Sequence, residues 1–414
     1  MNTDQKVIIV GGGIWGCNVA LHLAWQGVRD VTVIERNPEC ANETTPRAAG
    51  LVGQLRSTAV MCRAIGYALD LFDSFKQRTG IDPGLRRNGS LFIALTEDRM
   101  KAYHEQLGHA VANGVETESI DHAEIQRLAP GLDINQIAGA YFVHGDGFLD
   151  PRRCALACAE AARNLGVTFR CSTEVTGLEV DGDRIGGVST PDGRIAADQV
   201  VVTAGPWTGL IGQQAGYRLP MQTIRHQRVV TVPVDGIPDH HPVVRVTDKS
   251  CYIRPEAGGL LYGFFEPYPT SLALDQHPAG FRTDDLAAPI DVMDEARERL
   301  KEVYPVLGTL AIAERMQGVT TFSPDGLYVI GPVPGVNGLH LASGCAALGI
   351  AGSAAIGKWI AEYIATGEMP DDLATFCPQR FGERSEDPHW IHDKGLEIYG
   401  NYYALPPGIG SDDH

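Results

Sequence analysis

Gly11, Gly13 and Gly16 stand in the spacing G-x-G-x-x-G, directly after the apolar run Lys6 to Val10 and at the head of a segment with helical apolar spacing, Ile14 to Gln26. That context serves the binding of a dinucleotide. The first glycine allows a tight turn, the second lets a pyrophosphate approach the backbone, and the third lets helix and strand pack closely. The head of the helix then offers N–H groups and the positive end of its dipole to the phosphates. Glu35 closes the next apolar run, Val31 to Glu35, where a carboxylate accepts hydrogen bonds from ribose hydroxyls and disfavours a 2′-phosphate. Strand, helix and acidic residue in one register separate this motif from a glycine-rich turn that binds nothing.

A second set of residues has the chemistry to move protons or hold an anion. His226 lies at the entry to a stretch that alternates like an antiparallel sheet, and an imidazole is expected to titrate near neutrality. Tyr252 lies on a neighbouring strand of that stretch. Read locally, the one is equally a satisfied sheet histidine and the other a core aromatic. Arg47, Arg225, Arg228 and Arg254 are the guanidinium groups available to an anionic ligand. Alternation puts Arg225 on the face opposite His226, and Arg254 on the face of Tyr252. His240 and His241 sit in a proline-flanked loop and read as exposed, and Cys154 and Cys158 read as buried helix residues; no metal site is expected.

The elements that must position these groups begin as strand, turn, helix, strand. A helix is predicted over Thr58 to Arg78, a strand over Ser90 to Leu95 and a helix from Glu97 to about Asn113. Pro151 opens another helix, to Leu165. Short strands with hairpin signals at Asp181-Gly182 and Asp192-Gly193 follow over Val167–Arg170, Glu174–Val180, Ile185–Thr190 and Arg194–Ile195, then Gln199–Thr203. Pro220 to Leu261 reads as antiparallel sheet, Val292 to Val303 as an amphipathic helix, and Gly349 to Ala365 as the last helix. The hairpin sheet closing on Thr203-Ala204-Gly205, and the glycine-rich turn Gly344 to Ile350, favour a long ligand with polar groups at both ends, FAD over NAD. Tight packing through small residues is the other reading of that last turn. The expected fold is mixed α/β, a Rossmann-type FAD-binding domain (1–85, 140–220 and 311–370) interleaved with an antiparallel-sheet substrate domain (86–139 and 221–310). Residues 371–414 form a tail open to a partner.

Composition narrows the function. With 34 basic against 51 acidic side chains the net charge is -17, which disfavours nucleic acid. Hydrophobic residues at 44% supply ample core, yet no run is long enough to span a membrane. No leader is expected before the first strand, and nine scattered cysteines without a CxxC pair point to a soluble protein of the cytoplasm.

The motifs together resemble a known family, the FAD-dependent amine oxidoreductases of the D-amino-acid oxidase superfamily, in particular the flavin domain of dimethylglycine and sarcosine dehydrogenases and oxidases. They are Gly11 to Gly16, Glu35-Arg36, Ala48 to Val52, Val200 to Trp207, His226-Gln227, Tyr252-Ile253-Arg254, Ser323 to Gly326 and Ile330-Gly331-Pro332. The resemblance implies that Ile14, Trp15, Glu35 and Arg36 hold the AMP half of FAD and that Val175 meets the adenine. Thr45, Ala49, Gly50, Leu51 and Val52 would run beside the flavin, Gly205 would close on the cofactor, and Leu348, Gly349, Ile350 and Ala351 would meet the ring. It also implies catalytic roles for His226 and Tyr252 around a small amine, with Arg47 and Arg254 as candidates for a substrate carboxylate.

Three departures from the family shape the expectation. Pro46-Arg47 stand where dimethylglycine-type enzymes carry a flavin-linked histidine, and Arg315-Met316 where sarcosine oxidases carry a flavin-linked cysteine, so FAD is expected to be non-covalent. The folate-binding half of the larger relatives is not in this chain, whose Tyr399 to Tyr403 resemble the start of that connection. Formaldehyde is then either released or passed to a separate folate-binding subunit, and oxygen or an electron-transfer protein reoxidises the flavin. The expected reaction is oxidative demethylation of an N-methylated amino acid. A glycine- or proline-type oxidation and a non-catalytic flavin-binding subunit are the competing readings.

Overall fold

A computed structural model describes residues 3–278, 280–406 and 409. The β-branched strand Lys6–Val10 lies at the heart of a six-stranded sheet. Asp30–Ile34 and then Thr168–Arg170 pair on one side of it. Gln199–Val202, Leu339–Ser343 and Val329–Pro332 lie on the other. Every pairing is parallel except that of the last two strands. Parallel strands buried on both faces call for continuous apolar runs, and the runs KVIIV and QVVV supply them. Their common direction brings residues 11–13, 35–37, 203–205 and 344–349 to one carboxyl edge, the place where open α/β sheets bind ligands.

Helices Ile14–Trp25, Ala59–Thr79, Pro151–Asn164 and Ser353–Thr366 share one apolar core with this sheet. Cys154 and Cys158 are buried in it. On the opposite face a three-stranded sheet, Gly177–Asp181, Arg184–Thr190 and Gly193–Ala196, packs Ile185 and Val188 against Ile8, Val10, Val200 and Val202.

The second sheet has eight strands, in the order Ile312–Phe322, Gln222–Thr231, Gly259–Phe264, Cys251–Glu256, Val243–Val246, Ser90–Ala94, Gly139–Val143 and Thr117–Ile120. Helix Ile290–Leu300 covers one face with Met293, Ala296 and Leu300. The other face turns Ile224, Val230, Tyr252 and Leu261 toward Ala346 of the first sheet's edge.

Several boundaries differ from the sequence expectation. The strand expected from Glu174 starts at Gly177, and Val303 lies past its helix. The last predicted helix starts at Ser353 because residues 345–352 form turns, with Ala346 and Ala347 in the left-handed region. Strands Thr117–Ile120 and Gly139–Val143 were not foreseen. Beyond Pro370 come helix Asp371–Ala374, 3-10 turns over Pro378–Glu386 and helix Pro388–Gly400, whose N-cap Asp387 accepts from His389 N and Trp390 N. That last helix buries Ile391 and Tyr399. The final residues of the expected tail, 407, 408 and 410–414, lie outside the described residues. Among the described residues no helix is long and apolar enough to cross a membrane.

Candidate functional site

A cavity of about 600 Å³ runs from the carboxyl edge of the six-stranded sheet to the inner face of the eight-stranded one. At the first end the backbone does the work. Gly11 has φ +103°, and a Cβ there would lie 2.7 Å from Thr203 O. A Cβ on Gly16 would lie 2.0 Å from Gly11 O, so only glycine lets helix Ile14–Trp25 sit this close to the strand. The N-cap residue of that helix, Gly13, has no side chain to cap it, and Ile14 N donates to Thr45 Oγ1 at 3.1 Å. Glu35 is buried; its Oε2 accepts from Gly12 N at 2.7 Å and its Oε1 from Asn37 N at 2.8 Å. The Arg36 guanidinium lies 3.9 Å over the Trp207 ring.

Of the residues predicted to hold a cofactor, Gly11, Gly13, Ile14, Trp15, Glu35 and Arg36 line the cavity, as do Thr45, Ala49, Gly50 and Leu51. So do Val175, Gly205, Leu348, Gly349 and Ile350. Gly16, Val52 and Ala351 stand behind the wall, the last two fully buried. The turn at 345–350 is tied down by Trp15 Nε1 donating to Gly349 O at 2.7 Å and by the Tyr328 hydroxyl donating to Leu348 O at 3.1 Å.

At the other end the wall is made of side chains. His226 Nε2 is 3.1 Å from the Tyr252 hydroxyl and His226 Nδ1 is 2.7 Å from the Tyr399 hydroxyl. Phe265 packs 4.7 Å from the imidazole, centroid to centroid, and stacks on Tyr402 at 4.1 Å. His226 lines the cavity, and burial pushes its imidazole down to about 4. This corrects the expectation of a group titrating near neutrality: the ring is uncharged at pH 7 because, among the described residues, no carboxylate repays desolvation of the cation. Burial likewise pushes the Tyr252 and Tyr399 phenols up.

The arginines fall out differently. Arg225 turns to the opposite face, 3.6 Å from Glu266. Arg254 is off the cavity wall, its guanidinium held by Ala49 O, Pro255 O and Glu256. Arg47 lines the cavity and is bound to Asn42 O, Glu43 O and Asp284. His241 is buried, 3.1 Å from the Tyr304 hydroxyl, and not in an exposed loop.

Sequence reasoning missed Arg56, Arg245, Phe265, Tyr402 and Tyr403, all on the wall. Arg245 had a signal: an arginine inside the apolar strand Val243–Val246, directly paired with Tyr252. The tyrosines had ahead of them a helix that Asp387 caps and Pro388 opens, which returns the chain to the cavity.

These features fit FAD. The glycine cradle suits a diphosphate, Glu35 a ribose, the Arg36–Trp207 wall beside Val175 an adenine, and the anchored turn at 345–350 the polar edge of a ring. The profile of the family described as FAD dependent oxidoreductase matches residues 6–363. The chain is 30% identical over 404 residues to 4-methylaminobutanoate oxidase (formaldehyde-forming) of Paenarthrobacter nicotinovorans, covering 97% of this chain and 49% of that one. It is 31% identical over 404 residues to mitochondrial dimethylglycine dehydrogenase of Rattus norvegicus, covering 95% and 47%. The chain thus spans about half the length of these curated relatives. L-proline dehydrogenase from P. horikoshii superposes with a TM-score of 0.81 at 25% identity, over 92% of this chain and 98% of that one.

Proposed function

Because the chain belongs to the family of FAD-dependent oxidoreductases, we propose that it binds FAD without a covalent link and oxidises the N-methyl group of a small N-methylated amino acid. When bound, FAD accepts a hydride equivalent from the carbon beside nitrogen. The resulting imine takes up water and parts into formaldehyde and the demethylated amine.

The observation that carries this reading is the Tyr252–His226–Tyr399 chain on the wall of the cavity. Oxidation needs the nitrogen lone pair, so the amine must shed its ammonium proton. A wall of Phe265, Tyr402 and Tyr252 around an uncharged imidazole gives an ammonium ion little solvation, which favours the neutral amine. His226 fixes the Tyr252 hydroxyl so that it can exchange a hydrogen bond with the nitrogen, and with its low basicity it relays the departing proton instead of keeping it. Arg47, bound to Asp284, belongs in this reading to the wall over the cofactor. Two relatives are named for N-methylated substrates, one of them formaldehyde-forming. The likeness to L-proline dehydrogenase favours a cyclic imino acid as the second reading.

A panel of sarcosine, N,N-dimethylglycine, 4-(methylamino)butanoate, glycine and proline, tested anaerobically for bleaching of the flavin band, decides between them. The expected outcome is bleaching by an N-methylated acid with formaldehyde formed in equal amount. Bleaching by proline or glycine alone moves the substrate class, and none at all points to a flavin-binding subunit without this chemistry. Acid precipitation is expected to leave the yellow colour in solution; colour in the pellet overturns non-covalent attachment.

A further inference from the structure

A buried guanidinium that forms no direct ion pair among the described residues stands at the substrate end of the cavity. Arg245 is 6% exposed, and its one hydrogen bond among the described residues runs from Nη1 to the Tyr403 hydroxyl at 3.0 Å. Its Nε is buried without a hydrogen-bond partner, and among the described residues it forms no ion pair. Arg56, also on this wall, donates among the described residues only to Leu55 O at 3.1 Å. The acid facing them is Asp146, fully buried: Oδ1 accepts from Gln54 N at 2.7 Å, while Oδ2 has no partner. A Cβ built on Gly53 would lie 3.0 Å from Asp146 Oδ2 and 3.2 Å from Arg245 Nη2, so the two groups flank one small space. Two guanidinium groups, Arg245 buried and Arg56 half-buried, against one buried carboxylate leave one positive charge to balance, and buried charges are stable only when paired.

We propose that Arg245 is the anchor for the carboxylate of the substrate, with Tyr403 as the residue that positions it. This rests on the reading of the cavity as an amine-oxidising site. The other arginines nearby are already engaged: Arg47 by Asp284 and two carbonyls, Arg254 by Glu256 and two carbonyls, Arg228 by Pro46 O and Glu314. Arg245 pairs in register with Tyr252 on the adjacent strand, so the anion seat and the proton-handling hydroxyl are neighbours on one sheet face. A substrate seated there carries its amine and its carboxylate on one short chain. Tyr403 follows helix Pro388–Gly400, and Arg99 Nη2 donates to its carbonyl at 2.8 Å, so the segment after that helix holds Arg245 in place.

The test uses the FAD-loaded protein and paired substrates: sarcosine against dimethylamine, and 4-(methylamino)butanoate against N-methylbutylamine. In Arg245→Gln the preference for the acid over its carboxylate-free partner, read as the ratio of Kd values from anaerobic flavin reduction, is expected to fall about 100-fold. The limiting reduction rate at saturating acid is expected to change far less. Arg245→Lys keeps part of the preference, and Tyr403→Phe weakens acid binding several-fold. Acetate, titrated as a probe, is expected to perturb the flavin band of the wild type and of Arg245→Lys but not of Arg245→Gln. An equal loss for both members of a pair, or a shifted flavin potential that slows every substrate alike, overturns the proposal and moves Arg245 to the flavin edge. If Arg245→Gln fails to retain FAD, the wild-type acetate titration and Arg245→Lys decide: a wild type blind to acetate overturns it. If no N-methylated compound reduces the flavin while acetate still binds through Arg245, the anchor stands and the proposed reaction falls.

Discussion

The two ends of the cavity are built on opposite principles. At the nucleotide end main-chain groups and the Glu35 carboxylate form the cradle, with the Arg36–Trp207 pair beside it, and the spacing between helix and strand is set by the absence of Cβ atoms. At the substrate end the contacts are side chains from strands Gln222–Thr231, Val243–Val246 and Cys251–Glu256 and from the segment after helix Pro388–Gly400, joined through hydroxyl and imidazole hydrogen bonds. The difference teaches where each end is rigid. A backbone cradle fails as a whole when one atom is added, whereas a side-chain wall changes chemistry residue by residue while the fold persists.

The largest effect that sharpens this contrast is Gly16→Ala. Its Cβ would meet Gly11 O at 2.0 Å, and neither the strand nor the helix head can yield without losing the turn. Nearly complete loss of bound flavin is expected, with destabilisation of about 3 kcal/mol, read from the flavin-to-protein absorbance ratio and urea melts. A Gly16→Ala protein that purifies yellow would break the comparison at its first term.

His226→Phe tests the other end. The ring volume is kept and both hydroxyl partners lose their nitrogen, so the limiting rate of flavin reduction should fall about 10²- to 10³-fold while FAD content stays full. Loss of flavin together with rate would show that this end, too, is a single structural unit.

Legibility followed the same division. The glycine spacing, the strand before it and Glu35 lie within one continuous segment, and local chemistry dictates them. His226 and Tyr252 were nameable through resemblance, but nothing local shows that Tyr399, far along the chain, completes their hydrogen-bond chain. Arg254 was a candidate anchor because alternation placed it beside Tyr252; the reach of a flexible arginine to Ala49 O and Glu256 depends on tertiary structure that alternation does not encode. The helix after Pro388 went unassigned although Asp387-Pro388 is a cap-and-first-turn pair, because the polar residues around it mask the apolar stripe.

Acid should weaken both ends together, since it acts on the scaffold they share. Burial pushes His22, His241 and His340 down to about 4, from an ordinary 6.5. Between those pH values the unfolded chain holds more protons than the folded one. The stability each histidine contributes is therefore fully present above pH 6.5 and is lost as pH falls toward 4, on the order of 1–3 kcal/mol apiece. Urea midpoints measured from pH 7 to pH 4 should fall, with His340→Gln flattening part of the slope; a pH-independent midpoint over that range contradicts the burial argument.

The smallest effect concerns a bridge between the ends. Glu43 accepts from Arg36 Nη2 at 2.8 Å and from Thr283 N and Oγ1 at 3.1 and 2.8 Å. Burial opposes its charge, but Arg36 and the two Thr283 donors outweigh that and hold its carboxyl below the usual range. The segment Arg282–Asp285 is thereby strapped to the nucleotide end, where Arg282 also donates to Asn37 and Asp284 pairs with Arg47. Glu43→Gln keeps the shape and removes the charge, at a cost of about 1 kcal/mol, so FAD should dissociate several-fold faster with the reduction rate little changed. The effect is small because the cradle itself is untouched: a strap of exposed and half-buried ion pairs should slow the cofactor's exit, while the glycine cradle should decide whether it binds. A Glu43→Gln protein that loses FAD as completely as Gly16→Ala would mean that side chains, too, decide binding at the nucleotide end.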